Sequence, residues 1–177
     1  MPQLDAYIPQ GALAPEVEQQ LLARLTDLLI VHEGADPTNE RVRSIAWVFL
    51  HRPAAVYVAG SPANEPRYRF IASVPEGQFD ADRRQALVEA ITDAVLDAEG
   101  GAYPRDPGRI WVFTPEVPDG TWGAAGRIVT LADIAGFALG DPERGRRYAE
   151  ERLASRRQGA PVQCLPSKRL PGRRLPR

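Results

Sequence analysis

One pattern occurs twice in this chain of 177 residues, and it constrains the fold more than any other feature of the sequence. Residues 6–11 (AYIPQG) match residues 72–77 (ASVPEG), and Glu33-Gly34 matches Glu99-Gly100 at the same displacement of 66 residues. Further along, residues 47–49 and residues 111–113 both read Trp-Val-Phe. We interpret the chain as two copies of one supersecondary unit, fused in tandem.

The first copy has the pattern strand, helix, strand. Residues 3–9 alternate apolar and polar side chains, which is typical of a half-buried strand. Apolar residues then recur at helical spacing over residues 15–33, and Gly34 is a typical helix stop. A β-branched and aromatic run at residues 42–50 predicts a second strand, and residues 56–58 predict a short hairpin strand.

The second copy repeats this order. Residues 67–74 predict a strand, and Asp80 is a suitable cap for the helix that follows. The helix ends at Gly100-Gly101, and residues 109–113 predict the last strand. Because a crossing helix implies parallel pairing within each unit, two units side by side predict an α+β fold, in which a four-stranded mixed sheet carries both helices on one face.

The sheet of this fold is expected to leave one face uncovered. Trp47, Phe49, Trp111 and Phe113 all lie on predicted strands and must place apolar surface on one face or the other. A large apolar patch of this kind marks an interaction surface. We therefore expect self-association to cover it.

Beyond the second unit the sequence becomes polar and rich in glycine. A glycine-rich loop at 119–127 precedes a predicted short helix at 131–137 and a polar helix at 142–157. The last twenty residues are basic and rich in proline, and we expect them to be disordered. The predicted divisions are a domain at 1–137 with units 1–60 and 66–130, a C-terminal helix at 138–157, and a tail at 158–177.

Composition and charge exclude several classes of function. The formal net charge is −1, but residues 168–177 hold five of the 22 Lys and Arg residues, so the body of the chain is acidic, unlike a nucleic-acid-binding surface. Cys164 is the only cysteine, which excludes an intrachain disulfide and a thiolate zinc cluster. No stretch approaches the roughly 18 apolar residues of a membrane span. We expect a cytoplasmic protein without a metal or cofactor and without a membrane or nucleic-acid partner.

Pro2 directly follows the initiator methionine. Because a small second residue allows Met1 to be removed, we expect the mature chain to begin with the secondary amine of Pro2. The pKa of an α-amino group is roughly 7.7 to 8.0, and an apolar pocket beside a cation lowers it, so the amine would serve as a general base near neutral pH. The counterpart of Pro2 in the second unit is Tyr68, which has no free amine, so this chemistry belongs to the first unit only.

These features together resemble the tautomerase superfamily, whose members include 4-oxalocrotonate tautomerase, macrophage migration inhibitory factor, cis-3-chloroacrylic acid dehalogenase and malonate semialdehyde decarboxylase. The resemblance rests on Pro2 at the start of a βαβ unit, on the Pro-x-Gly at residues 9–11, and on the glycine-rich residues 120–126, and it covers about residues 1–130. It implies that Pro2 acts as general base or acid, or forms an iminium with a carbonyl compound. It also implies a homotrimer.

The resemblance further implies a substrate-binding set around this amine. Trp122 falls where the family has an aromatic wall, and Arg109 lies near a family arginine that binds a substrate carboxylate. Arg43 is the rough counterpart of Arg109 in the first unit, and Phe113 stands where the cis dehalogenase has a tyrosine. Arg127, beside the last strand, is a further candidate, because a guanidinium binds a carboxylate through two parallel hydrogen bonds.

Several residues of the family are replaced in this chain. Ala12 and Gln78 stand where 4-oxalocrotonate tautomerase has arginine after the glycine. Relative to the cis dehalogenase, Leu29 replaces the water-activating histidine, Ala124 replaces the acid, and Pro75 and Gln78 replace the paired arginines. Dehalogenation, hydration and decarboxylation therefore have little support.

We predict an isomerase in which Pro2 removes a proton alpha to the carbonyl group of a small 2-oxo or enol carboxylic acid held by arginine. The alternative is a non-catalytic oligomeric protein of the same fold, with a binding or structural role. The βαββαβ order is also shared with ferredoxin-like RNA-binding modules. Those modules need exposed aromatic and basic residues on the sheet, and the acidity of the body argues against that function.

Overall fold

The computed structural model describes residues 2–158. The first unit contains β1 (Gln3–Tyr7), α1 (Pro15–His32), α2 (Glu40–Ser44) and β2 (Trp47–His51), and a hairpin of β3 (Tyr57–Val58) and β4 (Ser61–Pro62) follows. The second unit contains β5 (Tyr68–Pro75), α3 (Ala81–Ala98), a 3-10 turn (Pro107–Arg109), β6 (Ile110–Phe113) and β7 (Glu116–Val117). The chain continues through β8 (Trp122–Ala124), β9 (Arg127–Val129), α4 (Leu131–Leu139) and α5 (Pro142–Gln158).

The main sheet has the strand order β2-β1-β5-β6, and β7 pairs with the end of β5. Pairing is parallel within each unit, between β1 and β2 and between β5 and β6. The two units join through an antiparallel pair in which Leu4 lies opposite Ala72. The predicted α+β fold with a mixed sheet is therefore confirmed.

The hydrophobic core lies between one face of this sheet and the two long helices. Leu4 and Phe70 from the central strands are fully buried, as are Leu25 of α1 and Ile91 of α3. The strand side chains alternate between buried and partly exposed, since successive residues of a strand point to opposite faces. The apolar stripes of α1 and α3 therefore cover a single face of the sheet.

The opposite face of the sheet carries large exposed aromatic side chains. Trp47 on β2 is 62% exposed and Trp111 on β6 is 65% exposed. Each tryptophan makes an edge contact with a phenylalanine two residues later, Phe49 or Phe113. The repeated Trp-Val-Phe sequence thus places an apolar surface at both edges of the sheet, as predicted, and a single protomer leaves it uncovered.

The structure corrects one predicted element of the first unit. A strand was expected from residue 42, but β2 begins only at Trp47. Asn39 is the reason, because its side-chain oxygen accepts hydrogen bonds from the backbone N–H groups of Arg41 and Val42 and caps α2. A local cap overrides the β preference of Val42, which is buried on a helix instead.

The glycine-rich segment is more ordered than the predicted loop, and the two helices after it lie where the sequence predicts them. Residues 122–129 form a hairpin, whose turn places Ala125 and Gly126 at positive φ. Thr130 and Asp133 then form a capping box that starts α4. Gly136 of α4 and Gly145 of α5 let the two helices touch, since a Cβ atom on Gly145 would lie 2.3 Å from the Gly136 nitrogen.

The predicted disorder of the tail concerns residues 159–177 almost entirely, and these lie outside the described residues. Within residues 2–158, every helix is too short or too polar to cross a bilayer.

Candidate functional site

Pro2 is fully buried and lines a cavity of about 230 Å³. It immediately precedes β1, and its carbonyl oxygen accepts a hydrogen bond from the backbone N–H of Trp47 at 3.1 Å. The parallel pairing of β1 with β2 therefore extends to residue 2 and fixes its backbone. The cavity reaches the surface at Gly34 and Asp36, which are both exposed.

Most of the cavity wall is apolar, and the C-terminal extension supplies a large part of this apolar surface. Helix α4 packs over the first unit and supplies a row of side chains, while Val42 and Ile45 close the side next to β2. Asn39 ties the two parts together, because its side-chain amide donates to the carbonyl oxygen of Ala138 at 3.2 Å. The α4 residues that line the cavity are Leu131, Ile134, Ala135, Ala138 and Leu139.

Glu33 is a buried acidic group in the wall of this cavity. It caps the C-terminus of α1 and is only 6% exposed. Burial raises the pKa of the Glu33 carboxyl group to about 7, and the positively charged amino terminus acts in the opposite direction. A carboxyl group that changes its protonation state near neutral pH therefore lies in the same cavity as Pro2.

The second unit has the equivalent groups, but they form a closed ion pair. Tyr68, the counterpart of Pro2, donates its hydroxyl proton to Glu99, the counterpart of Glu33, at 3.0 Å. Arg109 binds both oxygens of Glu99 with its two terminal nitrogens, and its side chain is fully buried. Burial and the nearby Glu99 both raise the pKa of Tyr68. The strand register aligns Trp47 with Trp111, which makes Ile45, two residues from the expected Arg43, the counterpart of Arg109 in the first unit.

Gln78 and Tyr148 form the remaining polar part of the wall. The Tyr148 hydroxyl donates to Gln78 Oε1 at 2.8 Å and accepts from Arg152 Nε at 3.3 Å. Gln78 is 5% exposed, and its Nε2 is buried without a hydrogen-bond partner in residues 2–158. The cavity therefore combines an amine position, a titratable carboxyl group and an amide donor.

The residues predicted to surround Pro2 lie elsewhere in the protomer. Arg109 is bound to Glu99, as described, and Arg43 contacts Asp27 at 2.5 Å on the surface. Arg127 is exposed on the β8–β9 hairpin, and Trp122 is half-buried on the same hairpin.

Phe113 is 45% exposed on the open sheet face, beneath the guanidinium of Arg69. None of the five predicted substrate-binding residues lines the Pro2 cavity of a single protomer. Their substrate-binding roles stay predictions.

Sequence reasoning missed Glu33, Gln78, Tyr148 and the whole of α4 as parts of the site. A signal for Glu33 was present in the repeat. An acidic residue at a helix C-terminus is disfavoured by the helix dipole, yet Glu33 and Glu99 both occupy that position. No comparable local pattern indicates Gln78 or Tyr148, because they meet across 70 residues of chain.

The structure combines two fused βαβ units with Pro2, which is buried under the added helix α4. Residues 72–132 match the sequence model of a family described as tautomerase enzyme. A search of curated proteins gives no match. The solved structures most useful for comparison share the fold at low identity.

A wild-type fused 4-OT, described as a symmetric trimer, is 22% identical, with a TM-score of 0.56 over 72% of this chain and 94% of that one. A member of the cis-3-chloroacrylic acid dehalogenase family is 18% identical, with a TM-score of 0.59 over 82% and 89%. Macrophage migration inhibitory factor of Toxoplasma gondii is 14% identical, with a TM-score of 0.56 over 72% and 99%. The chain therefore shares the fold of these structures, and its second unit and the segment that follows match the tautomerase family model.

Proposed function

We propose that this protein is a tautomerase in which the amine of Pro2, freed by removal of Met1, is the general base. The observation that carries the proposal is the burial of Pro2 in a cavity large enough for a small molecule. A cavity of about 150 Å³ binds benzene, so a cavity of about 230 Å³ has room for a substrate with one ring. Burial disfavours the protonated form of an amine, which keeps a base available near neutral pH.

The reaction needs one proton acceptor and one proton donor. Pro2 nitrogen takes the proton alpha to a carbonyl group, and the carbonyl oxygen gains a proton as the enol forms. Glu33 supports the second transfer, because a carboxyl group with a pKa of about 7 is present in both protonation states at neutral pH. The substrate loses one proton at carbon and gains one at oxygen, and exchange with solvent returns a proton from Pro2 to Glu33, so the net change is an isomerisation that needs no cofactor.

The carboxylate of the predicted 2-oxo or enol acid substrate depends on an arginine clamp. Arg109, Arg43 and Arg127 would have to reach the cavity from another protomer or leave their present partners. We further propose a homotrimer that covers the aromatic sheet face, supported by the exposure of Trp47 and Trp111 and by the trimeric fused 4-OT. A cytoplasmic location stays a prediction.

The test compares wild-type protein with the Pro2→Ala variant in the ketonisation of phenylenolpyruvate. Intact mass must first show that Met1 is removed from both proteins. General-base catalysis contributes about 10²- to 10⁴-fold, and we expect a loss of that size in kcat/KM. Tyr68→Phe is the matched control in the second unit, and its rate should equal that of wild type. Equal rates for wild type and Pro2→Ala would reject the mechanism.

The non-catalytic alternative predicts a different result for the processing and the reactivity of the amino terminus. A protein that only binds or assembles would retain Met1, or would fail to form a borohydride-trapped adduct with a carbonyl compound at Pro2. Mass spectrometry of the trapped protein, with the modified residue mapped by peptide analysis, separates the two functions.

A further inference from the structure

A buried hydrogen-bond donor in the Pro2 cavity lacks an acceptor. Gln78 is 5% exposed, and its Nε2 has no partner within the described part of the chain. A buried amide N–H without an acceptor carries a desolvation penalty, and such groups usually have a ligand, a water or a functional role. Because Gln78 lines the cavity together with Pro2, a bound molecule is the natural source of the missing acceptor.

The hydrogen bonds around Gln78 determine which end of its amide is available. Arg152 Nε donates to the Tyr148 hydroxyl oxygen, so the hydroxyl proton is left to point toward Gln78 Oε1. The backbone oxygen of Gln78 accepts from Arg83. This network holds Oε1 as an acceptor and leaves Nε2 as the donor toward a ligand.

The charges in the lining oppose a negatively charged ligand. Asp36 lines the cavity, and hydrogen bonds from Thr38 lower the pKa of Asp36, which keeps its carboxylate ionised. No Lys or Arg belongs to the lining formed by residues 2–158. Arg83 and Arg152 lie nearby, but Arg83 donates to the backbone oxygen of Gln78 and Arg152 donates to the Tyr148 hydroxyl oxygen.

We propose that the Pro2 cavity selects an uncharged enolisable carbonyl compound, whose carbonyl oxygen accepts a hydrogen bond from Gln78 Nε2. The inference rests on the proposed role of Pro2 as general base, and it replaces the predicted carboxylic acid substrate with a neutral ketone, aldehyde or ester. Negative charge grows on this oxygen as the alpha proton moves to Pro2, so the amide donor stabilises the transition state more than the bound ketone. Gln78 is therefore both a specificity-determining and a catalytic residue.

A pair of substrates that differ only in charge tests this proposal. The enols of phenylpyruvate and of its methyl ester have the same ring and the same enol group, and only the acid is an anion at neutral pH. We expect wild-type kcat/KM to be at least about ten-fold higher for the ester than for the acid. Gln78→Met should lower kcat for the ester by about 10²-fold, the usual effect of removing one such donor, with a smaller change in KM.

Two further proteins control for folding and for chemistry. Gln85→Met changes an exposed glutamine on α3 whose side chain donates to Glu89, and it should behave like wild type. The Pro2→Ala protein, which should bind the compounds and turn them over slowly, is titrated with each compound while the side-chain amide signals of Gln78 are followed by NMR. The ester should shift those signals at lower concentration than the acid.

The outcomes separate this inference from the proposed function. Preference for the acid, an unchanged ester rate in Gln78→Met, or the absence of ester binding would each overturn the inference. The proposed function fails only if Pro2→Ala is as active as wild type. A folded Gln78→Met protein, shown by an unchanged circular dichroism spectrum, keeps the comparison valid.

Discussion

Replacement of Glu33 tests the energetics of the cavity through the dependence of stability on pH. Burial raises the pKa of its carboxyl group from 4.5 to about 7 in the folded protein. The unfolded chain releases this proton near pH 4.5, whereas the folded chain keeps it until about pH 7. Stability therefore falls as the pH rises through this interval, and the full effect is present above pH 7. One pKa unit corresponds to about 1.4 kcal/mol, so the shift amounts to about 3 kcal/mol.

Glu33→Gln removes the titrating group and keeps the size of the side chain. The assay is urea unfolding, followed by tryptophan fluorescence, of wild type and variant at several pH values from 4 to 8. The protein concentration must be held constant, because assembly contributes to stability. We expect the free energy of unfolding of wild type to fall by about 3 kcal/mol relative to that of Glu33→Gln between pH 4 and pH 8.

The contributions of other titrating groups to the pH dependence of stability cancel in this comparison, because both proteins contain these groups. His32, for example, has its pKa lowered by burial and by Arg83 in either protein. Glu89→Gln, an exposed change on α3, should show no pH-dependent difference from wild type. If the difference between wild type and Glu33→Gln stays constant with pH, or if wild type gains stability at high pH, then ion pairing with the amino terminus outweighs burial and the reasoning is refuted.

Three other substitutions have expected outcomes. Gly145→Ala should destabilise the protein by about 1–3 kcal/mol in urea unfolding, because the new Cβ would lie 2.3 Å from the Gly136 nitrogen and the overpacking outweighs the helix-propensity gain of about 1 kcal/mol. Arg109→Met should cost about 3–5 kcal/mol in the same assay, because it leaves the Glu99 carboxylate buried without its cation. Trp111→Lys, on the exposed sheet face, should shift the sedimentation coefficient toward that of a monomer.

Each of these outcomes has a matched control or a contradicting result. Gly123→Ala introduces a methyl group into open space and should leave stability unchanged. Adding Glu99→Gln to Arg109→Met should recover part of the lost stability, and no recovery would mean that the ion pair is not the cause. An assembly that survives Trp111→Lys unchanged would show that the aromatic sheet face is not the interface.

Much of the architecture could be predicted from the sequence, because helices and strands each impose a periodic pattern on the side chains that face the core. The two-residue alternation of residues 3–9 and the helical spacing of residues 15–33 are local consequences of which side chains face the core. Because the pattern occurs twice, the repeat also implied the pairing of the units, and β1 and β5 do join them. Where a local detail competed with the pattern, as with the Asn39 cap, the predicted strand was wrong.

The tertiary structure decided which residues line the cavity. The sequence by itself determined that Pro2 directly precedes the first strand and that Tyr68 takes its place in the second unit. It did not determine that α4 folds back over Pro2, or that Tyr148 orients Gln78 from 70 residues away. Contacts of this kind have no periodic signature, because they depend on how separate elements pack. Packing alone likewise decides that Arg109 is buried against Glu99, while Glu33 and Ile45 line the Pro2 cavity in the first unit.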